Sequence, residues 1–355
     1  MPARLHVDLA AVLSNARAIA ERSGARLIPM VKADAYGMGV GPVVRALEAL
    51  NPYAYGVATV REGEEIRALG TQRPVIVFTP LLEGELPAAH AAGLTPSLGS
   101  VAAIRKWQSL GGPWQLSIDT GMARAGTPWR EVAGLKDAVA QSPPEGVFTH
   151  FHSAELDDGS MEEQGRRFAD AVETLGLADV MKHTDNSAAV LRHGRSGHDA
   201  VRPGLFLYGG AVPGAAVEPA PVAHLRAPVT DLRRCEPGDT VSYGATLTAK
   251  RAMRVATIAA GYADGYPRNV GLEGRPGGFV IIRGRRLPIV GRVTMDMIMI
   301  DVTEVDCDLG DIVTLVGRDG AELITVAEVG ASGGISPYEV LVGLNSRAER
   351  LYHEA

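Results

Sequence analysis

Between residues 25 and 209, short apolar runs alternate with helical stretches at intervals of roughly 20 to 35 residues, and this rhythm constrains the fold more than any other feature of the chain. Eight runs read as strands: residues 25–33, 54–60, 74–79, 94–99, 114–119, 145–151, 179–184 and 200–209. Between them, residues 39–50, 61–70, 100–110 and 161–176 carry apolar side chains three and four apart, the spacing of one buried helix face. Eight strand-helix units in series predict an N-terminal (β/α)8 TIM-type barrel rather than an open sheet. The rhythm stops near residue 225. From there the runs GDTVSYGATLTA, RVATIAAGYA, GFVIIRGRRLPIVGRV, MIMIDVTEV and DIVTLVG alternate or are β-branched and are joined by Gly, Asp and Pro turns, which predicts a mostly antiparallel β domain. The expected division is therefore α/β, with residues 1–225 as the barrel and 226–355 as the β domain, meeting in the proline-rich stretch 212–228. The opening residues read as a short strand and an amphipathic helix, and that strand is free to pair with the β domain.

Composition narrows the partners. A net charge of -6 with no block of like charge offers nothing to a phosphate backbone or an anionic lipid surface, so neither nucleic acid nor membrane is expected. The two cysteines, Cys235 and Cys307, are far apart and outside any paired spacing, which argues against a disulfide framework or a thiolate metal site and favours a reducing cytoplasm. No apolar stretch has the length of a signal or a membrane span.

In a barrel of this type the chemistry belongs at the C-terminal strand ends. The unusual polar residues sort there: Lys32 after the first strand, Arg124 after the fifth, His150 and His152 at the sixth, Asn186 and Ser187 after the seventh, Arg202 and Gly204 at the eighth. An apolar strand ending in lysine delivers an amine to a low-dielectric mouth, where burial favours the neutral form that attacks a carbonyl. The plainer reading is a lysine snorkelling to solvent. Asn186-Ser187 before a helix reads either as an anion site or as an ordinary N-cap. The two histidines of HFH, without companion ligands, make a poor metal site, and no metal is expected. YGMGVG near residue 36 lacks the spacing of a dinucleotide fingerprint. Tyr243 stands outside the barrel, where a tyrosine is ordinarily a half-buried sheet residue.

Taken together, PMVKADAYGMG, LSIDTGMARAG, THFHSAE, HTDNSAA, RPGLFLYG, VSYGATLTA, IAAGYADGYPR and GRVTMDM resemble the alanine racemases, in that family's order over nearly the whole chain. The resemblance implies a pyridoxal 5'-phosphate enzyme that interconverts L-alanine and D-alanine by a two-base mechanism. It also implies a head-to-tail homodimer whose active sites are completed by the partner's β domain. Lys32 matches the lysine that holds the cofactor and Tyr243 the second base, donated across the dimer. Arg202 matches the arginine facing the pyridine nitrogen and His150 the histidine near the ring. Tyr36, Asn186, Ser187, Gly204 and Tyr262 match positions around the cofactor. Arg124 matches the arginine beside the cofactor's phenolic oxygen, and Met295 with Asp296 the partner segment at the substrate carboxylate.

Two positions depart from the family pattern. Ser117 stands where several members carry a carbamylated lysine that balances the arginine, and Ser346 stands about where some members place an aromatic near the substrate entrance. A serine or broad small-amino-acid racemase is therefore an alternative. A barrel-fold pyridoxal-phosphate decarboxylase would set an acid, not Arg202, against the ring nitrogen. A single-barrel cofactor carrier would lack the β domain, and a nicotinamide dehydrogenase would carry no lysine-bound cofactor.

Overall fold

Strand β1 (Arg4–Asp8) does not enter the barrel; it leads into helix α1 (Leu9–Ser23), which the Asp8 carboxylate caps by accepting from the Ala11 amide at 2.8 Å. Leu9, Val12, Ala16 and Ile19, spaced three and four apart, are buried, and the helix stops at Gly24 in the left-handed region. The computed structural model describes residues 2–354 apart from 195, 196, 273, 345 and 346.

The barrel follows with eight parallel strands: β2 (Arg26–Leu27), β3 (Tyr55–Val57), β4 (Val75–Val77), β5 (Thr95–Leu98), β6 (Gln115–Asp119), β7 (Gly146–Phe148), β8 (Met181–His183) and β9 (Ala200–Val201). β3 to β8 form one continuous parallel sheet, and β9 pairs with β2. Parallel bridges Met30↔Gly56 and Asn186↔Arg202 close the two remaining seams. The helices are α2 (Val40–Leu47), α3 (Val60–Ala68), α4 (Leu86–Ala91), α5 (Val101–Leu110), α6 (Lys136–Gln141), α7 (Ser160–Leu175) and α8 (Ser187–His193).

All eight expected strands are present but shorter than their apolar runs. The first, expected over 25–33, is paired only at Arg26–Leu27 and again at Met30, because Pro29 has no amide to donate. The last, expected over 200–209, ends at Val201. Pro203 interrupts it, and Leu205–Tyr208 winds into a 3-10 turn whose four side chains are buried.

The second half is a closed antiparallel barrel of six strands: β10 (Ala223–Cys235), β11 (Met253–Ile258), β12 (Phe279–Ile282), β13 (Arg285–Val290), β14 (Ile298–Asp301) and β15 (Ile312–Asp319). The ring order is β10-β11-β14-β13-β12-β15 and back to β10, whose thirteen residues bend at a register shift between Val229 and Asp231. β1 lies antiparallel on β10, and the last strand, β16 (Glu349–His353), lies parallel on β1, so both chain ends are part of this sheet. Helices α9 (Val326–Gly333) and α10 (Pro337–Gly343) precede that strand. One hydrophobic core runs through both halves, including Leu5, Val12, Leu116, Phe206, Leu225 and Ile300. No helix among the described residues is long and apolar enough to cross a membrane.

Candidate active site

A cavity of about 660 Å3 opens at the C-terminal ends of the barrel strands. Lys32, Tyr36, Arg124, His150, Asn186, Ser187, Arg202 and Gly204 all line it, as does Ser117. These residues come from five different strand ends and converge on one volume. Tyr243, Tyr262, Met295 and Asp296 do not line it.

Lys32 opens a tight turn in which Ala33, Asp34, Ala35 and Tyr36 all have φ between 52° and 56°. Four successive non-glycine residues in the left-handed region cost roughly 1–2 kcal/mol each, so the surroundings must impose the turn. Three contacts do so. The Glu62 carboxylate accepts from the Ala33 amide at 2.8 Å, having been aimed there by the capping box with Thr59 at the start of α3. The Asp34 carboxylate accepts from the Val40 amide at 2.6 Å. Arg350 of β16 reaches across to ion-pair with Asp34 and donates to the Gly37 carbonyl at 3.2 Å. Burial, and then the Arg124 guanidinium, hold the Lys32 ammonium below its ordinary range, against a smaller opposing pull from Glu62.

Tyr36 stacks on Tyr208 with ring centroids 4.7 Å apart, and Tyr208 donates to the Met30 carbonyl at 2.8 Å. The Tyr36 hydroxyl abuts Gly204, where a Cβ would collide with it. Burial raises the Tyr36 pKa, so the phenol stays protonated. The Ser187 hydroxyl accepts from the Gly204 amide at 3.0 Å, tying the loops after β8 and β9 together. Asn186 is the N-cap of α8, its side chain accepting from the Ala189 amide at 3.0 Å.

Arg202 is 4 % exposed, and its guanidinium donates to the carbonyls of Thr149 at 2.7 Å and Thr184 at 2.9 Å, to the His183 carbonyl, and to His183 Nδ1 at 2.9 Å. Phe148 and Phe78 flank it at 5.2 and 5.8 Å. Burial pushes its pKa down to about 10, which still leaves it charged at neutral pH. His150 Nδ1 lies 3.4 Å from Arg202. Burial, with Arg202, Arg124 and Lys32 nearby, pushes the His150 pKa down to about 3, so this imidazole is neutral. His152 is exposed and turned to Ser153 at 2.7 Å, so HFH does not present two ligands to one point.

Arg124 is exposed at the rim, and no carboxylate among the described residues pairs with it. Asp119, the nearest carboxylate in sequence, is spent on the amides of Gly121, Met122 and Ala123 at 2.9 to 3.1 Å. Ser117 is buried, its hydroxyl packed where a Cβ on Gly126 would sit. Ser346 lies outside the described residues.

Sequence reading missed Phe78, Phe148, His183, Glu62 and Tyr338. His183 ends its strand as His150 ends another, a signal that was available. Glu62 and Tyr338 sit on distant helices, and nothing local marks them as neighbours of the cavity.

Two family models match almost end to end: the alanine racemase N-terminal domain over residues 7–212 and the C-terminal domain over 222–352. The chain belongs to the alanine racemase family. It is 39% identical over 353 residues to the alanine racemase of Deinococcus radiodurans, covering 97% of each chain. Among solved alanine racemases, that of Acinetobacter baumannii superposes with a TM-score of 0.89 at 31% identity, over 99% of each chain. That of Bartonella henselae, solved with covalently bound pyridoxal phosphate, gives 0.89 at 26% identity, over 99% of this chain and 100% of that one.

Against that alanine racemase frame, the four remaining candidates gather on one face of the β domain. Tyr243 is 72 % exposed on a short turn after Ser242, which donates to the Arg292 carbonyl at 2.9 Å. Two residues on from Arg292, Thr294 accepts from the Tyr262 amide at 3.0 Å, and Met295 accepts from Ala263 at 3.0 Å. Met295 is 52 % exposed. Arg347 clamps this patch, donating to both oxygens of the buried Asp264 carboxylate and to Asp296 at 2.7 Å.

Proposed function

We propose that this chain is a pyridoxal 5'-phosphate-dependent alanine racemase that works in the cytoplasm as a homodimer with shared active sites. The observation that carries the reading is the pairing, in one cavity, of a lysine held below its ordinary pKa with a buried arginine fixed by four acceptors. The residues present suit the cofactor. Lys32 offers an amine for its aldehyde; Tyr36 and Ser187 offer hydroxyls, and the glycine at 204 gives the close approach an anionic end needs. Bound there, pyridoxal phosphate supplies an electron sink that acidifies the Cα proton of an amino acid.

The chain's own residues do the rest. Lys32 holds the cofactor and, once freed by substrate, its Nζ takes or returns the Cα proton on one face. Tyr243 Oη of the partner subunit serves the other face, since the same chain's Tyr243 does not line the cavity. Arg202, pinned by carbonyls and His183, would hold the ring nitrogen of the bound cofactor. A guanidinium with a pKa of about 10 does not readily hand over its proton, so Arg202 would leave a bound ring nitrogen unprotonated and would favour return of the Cα proton over side reactions. His150, a neutral imidazole, would pack against the bound ring, and Arg124 would meet its phenolic oxygen. Tyr262, Met295 and Asp296 of the partner subunit close the site around phosphate and substrate carboxylate. Asn186 contributes by holding the Ser187 turn. On this reading residues 1–225 form the cofactor domain and 226–355 the domain that serves the partner, with β1 lending itself to the second.

The test is a chiral assay of the purified protein across alanine, serine and other small amino acids, with borohydride fixation of the cofactor before peptide mapping. Alanine is expected to be racemised, with the label on Lys32. A label on Lys136 or Lys182, a decarboxylated product, or faster turnover of serine than of alanine would overturn the corresponding part.

A further inference from the structure

The hydrogen bonds of Arg202 do not end at His183. His183 is fully buried at the end of β8, its ring stacked on Phe148 at 5.0 Å and 13°. Its Nε2 lies 3.0 Å from Gln115 Oε1. Gln115, also fully buried, stands at the opposite end of the barrel, at the start of β6, and its Nε2 donates to Glu145 Oε2 at 3.4 Å. Glu145, on the outer face just before β7, takes a second, shorter hydrogen bond from the Tyr53 hydroxyl at 2.8 Å. Room for the amide exists because β7 begins with Gly146, where a Cβ would collide with Gln115 Oε1.

We propose that Gln115 and Glu145 are positioning residues for Arg202, acting through the barrel by fixing the tautomer of His183. The polarity of the chain is set from both ends. A guanidinium only donates, so Nδ1 of His183 must accept and its proton must reside on Nε2. A carboxylate only accepts, so the Gln115 amide must turn its NH2 to Glu145 and its oxygen to His183. The two requirements agree, and every hydrogen bond from Arg202 to Glu145 points the same way. Were the amide reversed, its NH2 would face His183 Nε2, the ring proton would move to Nδ1, and an N–H would confront the Arg202 guanidinium. Glu145 therefore excludes the arrangement that would push Arg202 from its place. A leucine or methionine would fill the volume of Gln115 more cheaply in this core, and the buried amide is explained by the relay.

The test uses the full chain with its cofactor and 15N-labelled histidine. In the wild type, NMR should show His183 with a protonated Nε2 and a bare Nδ1. Gln115→Met removes the acceptor, and its Nε2–H signal should move to that of an unbonded imidazole. The ratio of racemisation to transamination should fall about tenfold, equivalent to 1.4 kcal/mol. Gln115→Glu keeps an acceptor against Nε2 and should restore the ratio to within about twofold, which a merely space-filling role for Gln115 would not predict. Glu145→Lys, at an exposed position, puts a donor at the far end and should shift His183 protonation toward Nδ1. A wild-type proton on Nδ1, or unchanged His183 signals in both Gln115→Met and Glu145→Lys, would overturn the proposal. The catalytic ratio rests on the racemase reading given above, whereas the tautomer does not. A protein that racemises nothing but shows the expected nitrogen signals refutes that reading and leaves the relay standing.

Discussion

At the scale of single residues, two groups carry consequences that solution measurements can reach. Arg124 sits beside Lys32 with no carboxylate partner among the described residues, while Asp119 is committed to three amides and Ser117 cannot carry a carbamate. A small anion is the natural counter-charge once the site closes over the guanidinium. Activity at constant ionic strength is expected to rise with chloride and to ignore bicarbonate, and Ser117→Lys should weaken the chloride response. Flat halide titrations of both proteins would sink the idea. His150 is the second group. Its pKa in the folded chain is about 3 against an ordinary 6.5, so between these values the unfolded chain binds more protons and acid favours unfolding. Stability should fall as pH drops below about 6.5, by at most ~1.4 kcal/mol per pH unit for this one site. His150→Asn should flatten that slope in thermal melts from pH 7 to 4, and an unchanged slope would show that other groups carry it.

At the scale of elements, the turn after Lys32 shows what the sequence could and could not announce. The lysine itself was legible, since its place at the barrel mouth follows from the strand-helix rhythm. The left-handed winding of ADAY was not. Nothing in four ordinary residues asks for positive φ, and the winding is imposed by Glu62, Asp34 and Arg350 from elsewhere. The shortened last strand follows the same logic from the other side: VRPGLFLYG is apolar enough for a strand, yet Pro203 breaks it and LFLY packs as a turn beneath Tyr36. Glu62 offers a direct test. Replacing it with Gln keeps a side chain that can accept from Ala33 but removes the charge that raises the Lys32 pKa. Because Lys32 is a free amine only after substrate has released it, the acid limb of kcat should therefore move to lower pH. Glu62→Ala, which leaves the amides of Ala33 and Ala58 without their acceptor, should in addition cost roughly 1–3 kcal/mol in chemical denaturation. A limb that moves upward, or an Ala variant as stable as wild type, would contradict this account of the turn.

At the scale of the molecule, the candidate residues divide between the barrel cavity and an exposed face of the β domain. Eight candidates share the cavity, while Tyr243, Tyr262, Met295 and Asp296 stand exposed on the other domain. The residues alone gave Tyr243 the ordinary reading of a half-buried sheet tyrosine, whereas it is exposed on a turn; only the family resemblance singled it out. If two copies exchange these faces, inactive Lys32→Ala and Tyr243→Ala proteins refolded together at equal amounts should recover about a quarter of wild-type activity, because half the dimers are mixed and each has one intact site. Proven heterodimers without activity would place both bases on one chain.

The two ends of the chain also set an order of events during synthesis. Arg4 in β1 is ion-paired with Glu349 in β16, 345 residues later, a separation that a ribosome adding about 5–20 residues per second crosses in roughly 17–70 s. The antiparallel partner β10 emerges first and gives β1 one side of its pairing. The parallel side arrives only with β16, and that strand also brings Arg350 to Asp34. The turn that presents Lys32 thus receives its final clamp from Arg350, 316 residues after Asp34, and a nascent barrel without that strand lacks the clamp.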